Sequence, residues 1–235
     1  MIDEHNIKVK FDSEDPDVLE AYQHETNGNY EAAIEHYKKA IDKNPDLGIV
    51  YKHLGNALYR FGRVEEALPY LEKGCELMPH FPTVYLETGL TLYRMGSLKK
   101  GLEKIETAIK LDENLLLAHY WAGIINYHRG NLHQARKYFE HIISANPRYL
   151  IAYFHLGVVC LRLGNYQEAA DSLKTLTENN PEAPAAFALL GEAYLNLNKK
   201  YDARIAFKKA LELDPDDVKA KTGLAHLDDF SEALI

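Results

Sequence analysis

Eleven histidines and two cysteines are the residues of this 235-residue chain best suited to hold a metal or attack a substrate. Their spacing argues against both uses. His133 and His141 fall on one expected helix, eight residues apart, and that separates them by about 12 Å, too far for two ligands of one ion. His128 and His133 straddle an expected helix break, and the other histidines are scattered. Cys75 and Cys160 stand far apart in the chain, each on a helical face, with no metal-ligand spacing. They read as free thiols of a reducing compartment. Neither His-Glu-x-x-His nor Gly-x-Ser-x-Gly occurs, and no glycine loop is placed to cradle a phosphate. No catalytic residue, metal or cofactor is expected. The chain reads as a non-enzyme whose function lies on a surface.

The elements that must build that surface are set by an internal repeat. A shift of 34 residues brings like onto like. One glycine column runs through Gly55, Gly89, Gly123, Gly157 and Gly191, with Ala21 and Ala225 at its ends. A second runs through Gly28, Gly62, Gly96, Gly130 and Gly164 and ends in Asn198. Small residues recur at Ala33, Ala67, Gly101, Ala135, Ala169 and Ala203, and prolines at Pro45, Pro79, Pro147, Pro181 and Pro215, with Glu113 out of step. Each unit then reads as two amphipathic helices. The second glycine column supplies a left-handed residue between them, and the proline stops the second helix. The first column and the small-residue column let helices approach closely. One such hairpin cannot bury its apolar face alone, so stacking on neighbours is required.

The units expected are 14–47, 48–81, 82–115, 116–149, 150–183 and 184–217, forming one elongated domain. Residues 1–13 precede them as a charged arm in which Ile7, Val9 and Phe11 alternate with Lys8 and Lys10. It reads as a flexible terminus; the alternative is that it lies against the solenoid or a second copy. Residues 218–235 read as a capping helix and tail, with Lys219, Lys221, Asp228 and Asp229 on a polar outer face. Pro69, inside a second helix, is expected on the solvent side.

These columns resemble the tetratricopeptide repeat (TPR). Tyr51-x-x-Leu54-Gly55, Tyr153-x-x-Leu156-Gly157 and Phe187-x-x-Leu190-Gly191 match the first half of its pattern. Ala33-x-x-x-Tyr37, Ala135-x-x-x-Phe139 and Ala203-x-x-x-Phe207 match the second half. The resemblance implies an all-α fold, an α-solenoid in which six TPR helical hairpins and a C-terminal capping helix form a right-handed superhelix. It also implies that first helices line a concave face through the second, fifth, ninth, twelfth and thirteenth residues of each unit, with the sixth alongside.

The residues so selected are unusually apolar. The fifth and ninth positions give Lys52 and Asn56, Leu86 and Leu90, Tyr120 and Ile124, then Phe154 and Val158. The second position adds Leu117 and Ile151, and the sixth adds Trp121, the single tryptophan. Family members often carry asparagine at the ninth position, so Leu90, Ile124 and Val158 are a departure. A contiguous apolar patch on a protein surface marks an interaction site; the alternative is that superhelical curvature buries these residues among themselves. Beside this floor runs a rail of Tyr59, Tyr93 and Tyr127 with Arg60, Arg94, His128 and Arg162. Floor and rail together suit an amphipathic segment, apolar on one face and acidic on the other.

The carboxylate clamp by which some family members capture chaperone C-termini is not reproduced. Lys52 and Asn56 match its first pair, but Glu87 replaces an asparagine, and Leu117 and Trp121 replace its last two basic residues. The formal charge of −8 argues against nucleic acid as the main ligand. The start of the chain shows no apolar run of signal-peptide length, and no apolar stretch is long enough to span a membrane. A cytoplasmic location is expected. The function expected is a non-enzymatic scaffold or adaptor that binds a peptide or helix of another protein in its apolar groove. The alternatives are a homo-oligomeric scaffold assembling through the groove and a terminal segment, and a regulatory subunit of a separate enzyme.

Overall fold

A computed structural model describes residues 15–232, with side chains through residue 228. The arm at 1–13 and the end of the tail therefore lie outside the described residues. Among the described residues there are thirteen helices and no strand. They are α1 (Pro16–Thr26), α2 (Tyr30–Lys43), α3 (Gly48–Phe61), α4 (Val64–Leu77), α5 (Pro82–Arg94), α6 (Leu98–Leu111) and α7 (Leu116–His128). Then follow α8 (Leu132–Ala145), α9 (Leu150–Leu163), α10 (Tyr166–Asn179), α11 (Pro184–Asn196), α12 (Lys200–Leu213) and α13 (Val218–Glu232). No helix among the described residues is long and apolar enough to cross a membrane.

The repeat columns account for the helix ends. Gly28, Gly62, Gly96, Gly130 and Gly164 all have φ between 77° and 94°, and Asn198 takes the same left-handed role at φ 58°. Past Gly62, the Arg63 N–H reaches back to the Leu58 carbonyl at 2.9 Å, which closes the end of α3. Proline opens α1, α5 and α11, at positions whose N–H has no helical partner to lose. Pro69 sits on the exposed side of α4. There the Glu65 carbonyl loses its helical donor, on a residue that is itself exposed.

Contacts group the chain into two compact units, Met1–Ile125 and Asn126–Ile235, with the boundary inside α7. In the first unit α1 packs on α2, α3 on α4 and α5 on α6, while α2 meets α3, α4 meets α5, and α3 touches α5 directly. The second unit repeats the scheme through α8 to α13, with α9 on α11 and α11 on α13. Close approach within a hairpin depends on the glycines. A Cβ on Gly89 would stand 2.4 Å from Ile105 Cγ1 and 2.8 Å from the Gly101 carbonyl oxygen. No side chain fits between helices α5 and α6 there.

The first core forms around Val18, Tyr37, Leu54, Leu58 and Leu71, all fully buried. In the second unit Leu173 and Leu176 anchor one cluster and Phe207 another. Phe207 lies against Gly223 of α13, where an added Cβ would come within 2.3 Å of the ring. Arg204 of α12 holds Asp228 at 2.6 Å, and Lys219 of α13 pairs with Glu192 of α11. The last helix is thus seated by packing and by ion pairs at its edges.

Candidate functional site

First helices carry the side chains singled out in the sequence, and in the first unit they enclose a recess. A cavity of about 330 Å³ is lined by Asn56, Tyr59 and Arg60 of α3, Leu86, Glu87 and Leu90 of α5, and Leu117 at the start of α7. Leu71, Thr83, Thr91 and Leu115 complete its wall. This juxtaposition follows from the repeat, because residues one unit apart on stacked first helices fall side by side. Leu90 is half-buried and Leu117 is 44% exposed, so both present apolar surface to the cavity. Leu86 is only 4% exposed and Ile124 only 7%. Leu86 therefore shapes the wall, and Ile124 belongs to the interior, so neither offers much free surface.

Lys52 is turned toward its neighbour, its Nζ standing 3.6 Å from Glu87 Oε1. The other oxygen, Glu87 Oε2, is buried without a hydrogen-bond partner. Burial is the main influence on this carboxyl, whose side chain is 23% exposed. Lys52 opposes that effect and Glu25 adds to it, and the outcome is a pKa pushed up from 4.5 to about 7.

The arginines of the rail are docked on the preceding repeat. Arg94 lies over the Tyr59 ring, 4.9 Å from its centroid, and donates to the Tyr59 carbonyl at 3.3 Å. Arg60 donates to the Tyr30 hydroxyl at 3.2 Å. In the second unit Arg162 covers Tyr127 at 4.8 Å. Cation–π stacking fixes a guanidinium plane while leaving its edge donors for a ligand. All three arginines remain exposed.

The aromatic residues divide between the units. Trp121 packs on Tyr93 and on Tyr120, with ring centroids 5.6 Å and 5.5 Å apart. In the second unit Phe154 meets the edge of His155, and Phe139 stacks on the same imidazole. Burial, with His128 adding to it, lowers the His155 pKa to about 4, so this ring is neutral at ordinary pH. Ile151 is 46% exposed and Val158 is half-buried.

In the sequence Glu87 stands out only as an obstacle to the chaperone clamp, and Thr83, Leu115 and Tyr30 do not stand out at all. Thr83 occupies the second position of its unit, which the first-helix rule covers. Leu115 lies between two helices and Tyr30 opens a second helix, where no first-helix rule applies. Other chemistry is muted. Among the described residues no group of three His, Cys, Asp or Glu could hold a metal ion. Cys75 and Cys160 are buried free thiols. Burial, reinforced by Glu168, pushes Cys160 up to about 12.

Stacked two-helix units with a recess on their first helices define a helical-repeat architecture. A family model described as "Tetratricopeptide repeat" matches residues 86–147, 129–175 and 161–218, together more than half of the chain. A "TPR repeat" model matches residues 26–62 and a further "Tetratricopeptide repeat" model residues 50–78. The chain belongs to the tetratricopeptide repeat family. Proteins of this fold generally act as non-enzymatic scaffolds for protein–protein interaction.

A comparison with curated proteins gave no match. Among solved structures, the chain is similar to YrrB, described as a TPR protein with an unusual peptide-binding site. That likeness has a TM-score of 0.73 at 23% identity over 80% of this chain and 97% of YrrB. MamA from Desulfovibrio magneticus matches with a TM-score of 0.68 at 21% identity, over 73% of this chain and 97% of its own. The C-terminal part of a TPR protein from Cytophaga hutchinsonii matches at 0.76 and 19% identity, over 89% and 84%. At these identities the likeness is one of fold.

Proposed function

We propose that this protein is a non-enzymatic scaffold or adaptor that holds a peptide or helix of another protein in the recess of its first unit. The observation that carries this reading is the cavity itself. Leu90 and Leu117 offer apolar surface there, and Asn56, Tyr59 and Arg60 provide polar groups at one wall. A leucine or phenylalanine buried in such a recess contributes about 1.5–3 kcal/mol. A few such anchors give micromolar binding after ordering costs. Arg94, stacked on Tyr59, and Arg60, bonded to the Tyr30 hydroxyl, would orient the segment and favour one with acidic residues on its second face. YrrB, described as having a peptide-binding site, shares the fold; a peptide ligand is carried over from it as part of this proposal. Two buried free thiols suit a cytoplasmic setting.

The test is affinity capture from native lysate with the wild type and with Leu90→Glu and Leu117→Glu, each variant first shown to keep its helical circular dichroism. A protein retained by the wild type and lost by both variants supports the groove. Recovery of only further copies of the chain, lost with the same variants, makes the recess an assembly surface. If the recovered partner is an enzyme whose rate changes when the chain binds, the chain is its regulatory subunit. Capture unaffected by either substitution refutes the groove as the binding site.

A further inference from the structure

The cavity of the first unit holds a carboxyl group, one oxygen of which has no hydrogen-bond donor among the described residues. Glu87 Oε2 is buried without a partner, and Oε1 has only the Lys52 ammonium at 3.6 Å. An ionised carboxylate in that setting forgoes hydrogen bonds that water would provide. The charges acting on it are Lys52 and Arg60 of α3 and Glu25 at the end of α1, and the Tyr59 phenol shares the cavity wall. With Glu87 ionised, two cations face two anions. With Glu87 protonated, the site becomes cationic. Arg94, docked on Tyr59, sets a further cation against a residue of the cavity wall. Arg60 and Arg94 bond to a hydroxyl and a carbonyl, and neither is held by a carboxylate among the described residues.

We propose that the groove of the first unit takes up an acidic segment of a partner protein together with one proton, a partner carboxylate drawn to Arg60 and Arg94 binding as Glu87 becomes the carboxylic acid. The proton comes from solvent and is placed on the Glu87 carboxylate; no other bond changes. The inference rests on the groove reading above and specifies its partner and its regulation. A carboxylate beside ionised Glu87 is repelled, whereas beside the neutral acid it meets only the surrounding cations. Conversely, a bound negative charge raises the proton affinity of Glu87, and the two effects are reciprocal. Burial already brings this carboxyl to about 7, so any further rise acts within the neutral range. Affinity is then greatest below the value of the free groove and declines as pH rises through it.

The probe is a displayed library of short random peptides, selected at mildly acidic pH on the full chain. Selected peptides are then titrated against the wild type, Glu87→Gln and Leu117→Glu. Leu117 is exposed, so that variant blocks the recess without opening the core. Peptides carrying Asp or Glu beside an apolar residue are expected. They should bind about fivefold more tightly at about pH 6 than at about pH 8 for a one-unit rise from about 7, the full tenfold per unit being reached only between complete protonation and complete ionisation. Glu87→Gln should keep the tighter affinity at both pH values. Peptides lost with Leu117→Glu but free of acidic residues, or equally tight at both pH values, overturn the inference and leave the groove standing. A pH dependence that persists in Glu87→Gln overturns it too. Peptides that bind Leu117→Glu as well as the wild type remove the groove reading and this inference together.

Discussion

Replacing Glu87 with Gln should alter the pH dependence of stability in one direction only. The carboxyl has an ordinary value of 4.5 and lies at about 7 in the folded chain, through burial that Lys52 and Arg60 only partly offset. Between those two values the folded chain retains a proton that the unfolded chain has released. The stability linked to that proton is complete below 4.5 and is lost as pH rises to about 7. At about 1.4 kcal/mol per pKa unit, the loss comes to about 3 kcal/mol. A glutamine side chain cannot ionise and nearly matches the shape of the protonated acid. The variant should therefore gain about 3 kcal/mol on the wild type between about pH 4 and about pH 8. Other carboxylates titrate alike in both proteins and cancel. Urea unfolding followed by far-ultraviolet circular dichroism across that range reads the difference directly. A gap between the two proteins that stays constant with pH, or that shrinks as pH rises, would refute both the burial of this carboxyl and the sign of its shift.

Three further outcomes follow from packing. Gly89→Ala drives a methyl group into Ile105 and the Gly101 carbonyl. Overpacking of that kind costs about 1–3 kcal/mol, and better helix propensity returns at most about 1, so a lower urea midpoint is expected and an unchanged one excludes the close approach. Asn198→Gly relieves a left-handed backbone at φ 58°; a non-glycine residue there costs up to about 1–2 kcal/mol, reduced for asparagine, so a small rise in stability is expected from the same measurement. Cys75 and Cys160 are buried and burial raises both thiol pKa values. Mass spectrometry after maleimide treatment at neutral pH should find both unmodified in the native protein and both labelled in urea.

What could be read in the sequence was whatever depends on local conformation or on strict periodicity. A left-handed residue between two helices admits glycine and, less easily, asparagine, so the column ending in Asn198 marks the helix ends by residue type alone. The period of 34 residues carries the stacking of hairpins, because each apolar stripe needs a neighbour at that interval. It also indicates which first-helix residues can share a surface, and Asn56, Leu90 and Leu117 do line one cavity. Tertiary structure decided how far each side chain is covered and what it touches. Leu86 and Ile124 occupy the same column types as Tyr120 and Leu90, yet helix neighbours cover the first pair far more completely. Glu87 looks in the sequence like an ordinary surface carboxylate. Its proton affinity comes from desolvation and from Lys52, Arg60 and Glu25, which lie on other helices. Periodicity sets which residues can meet, while burial and field are sums over everything packed around a group, and only the folded chain supplies those sums.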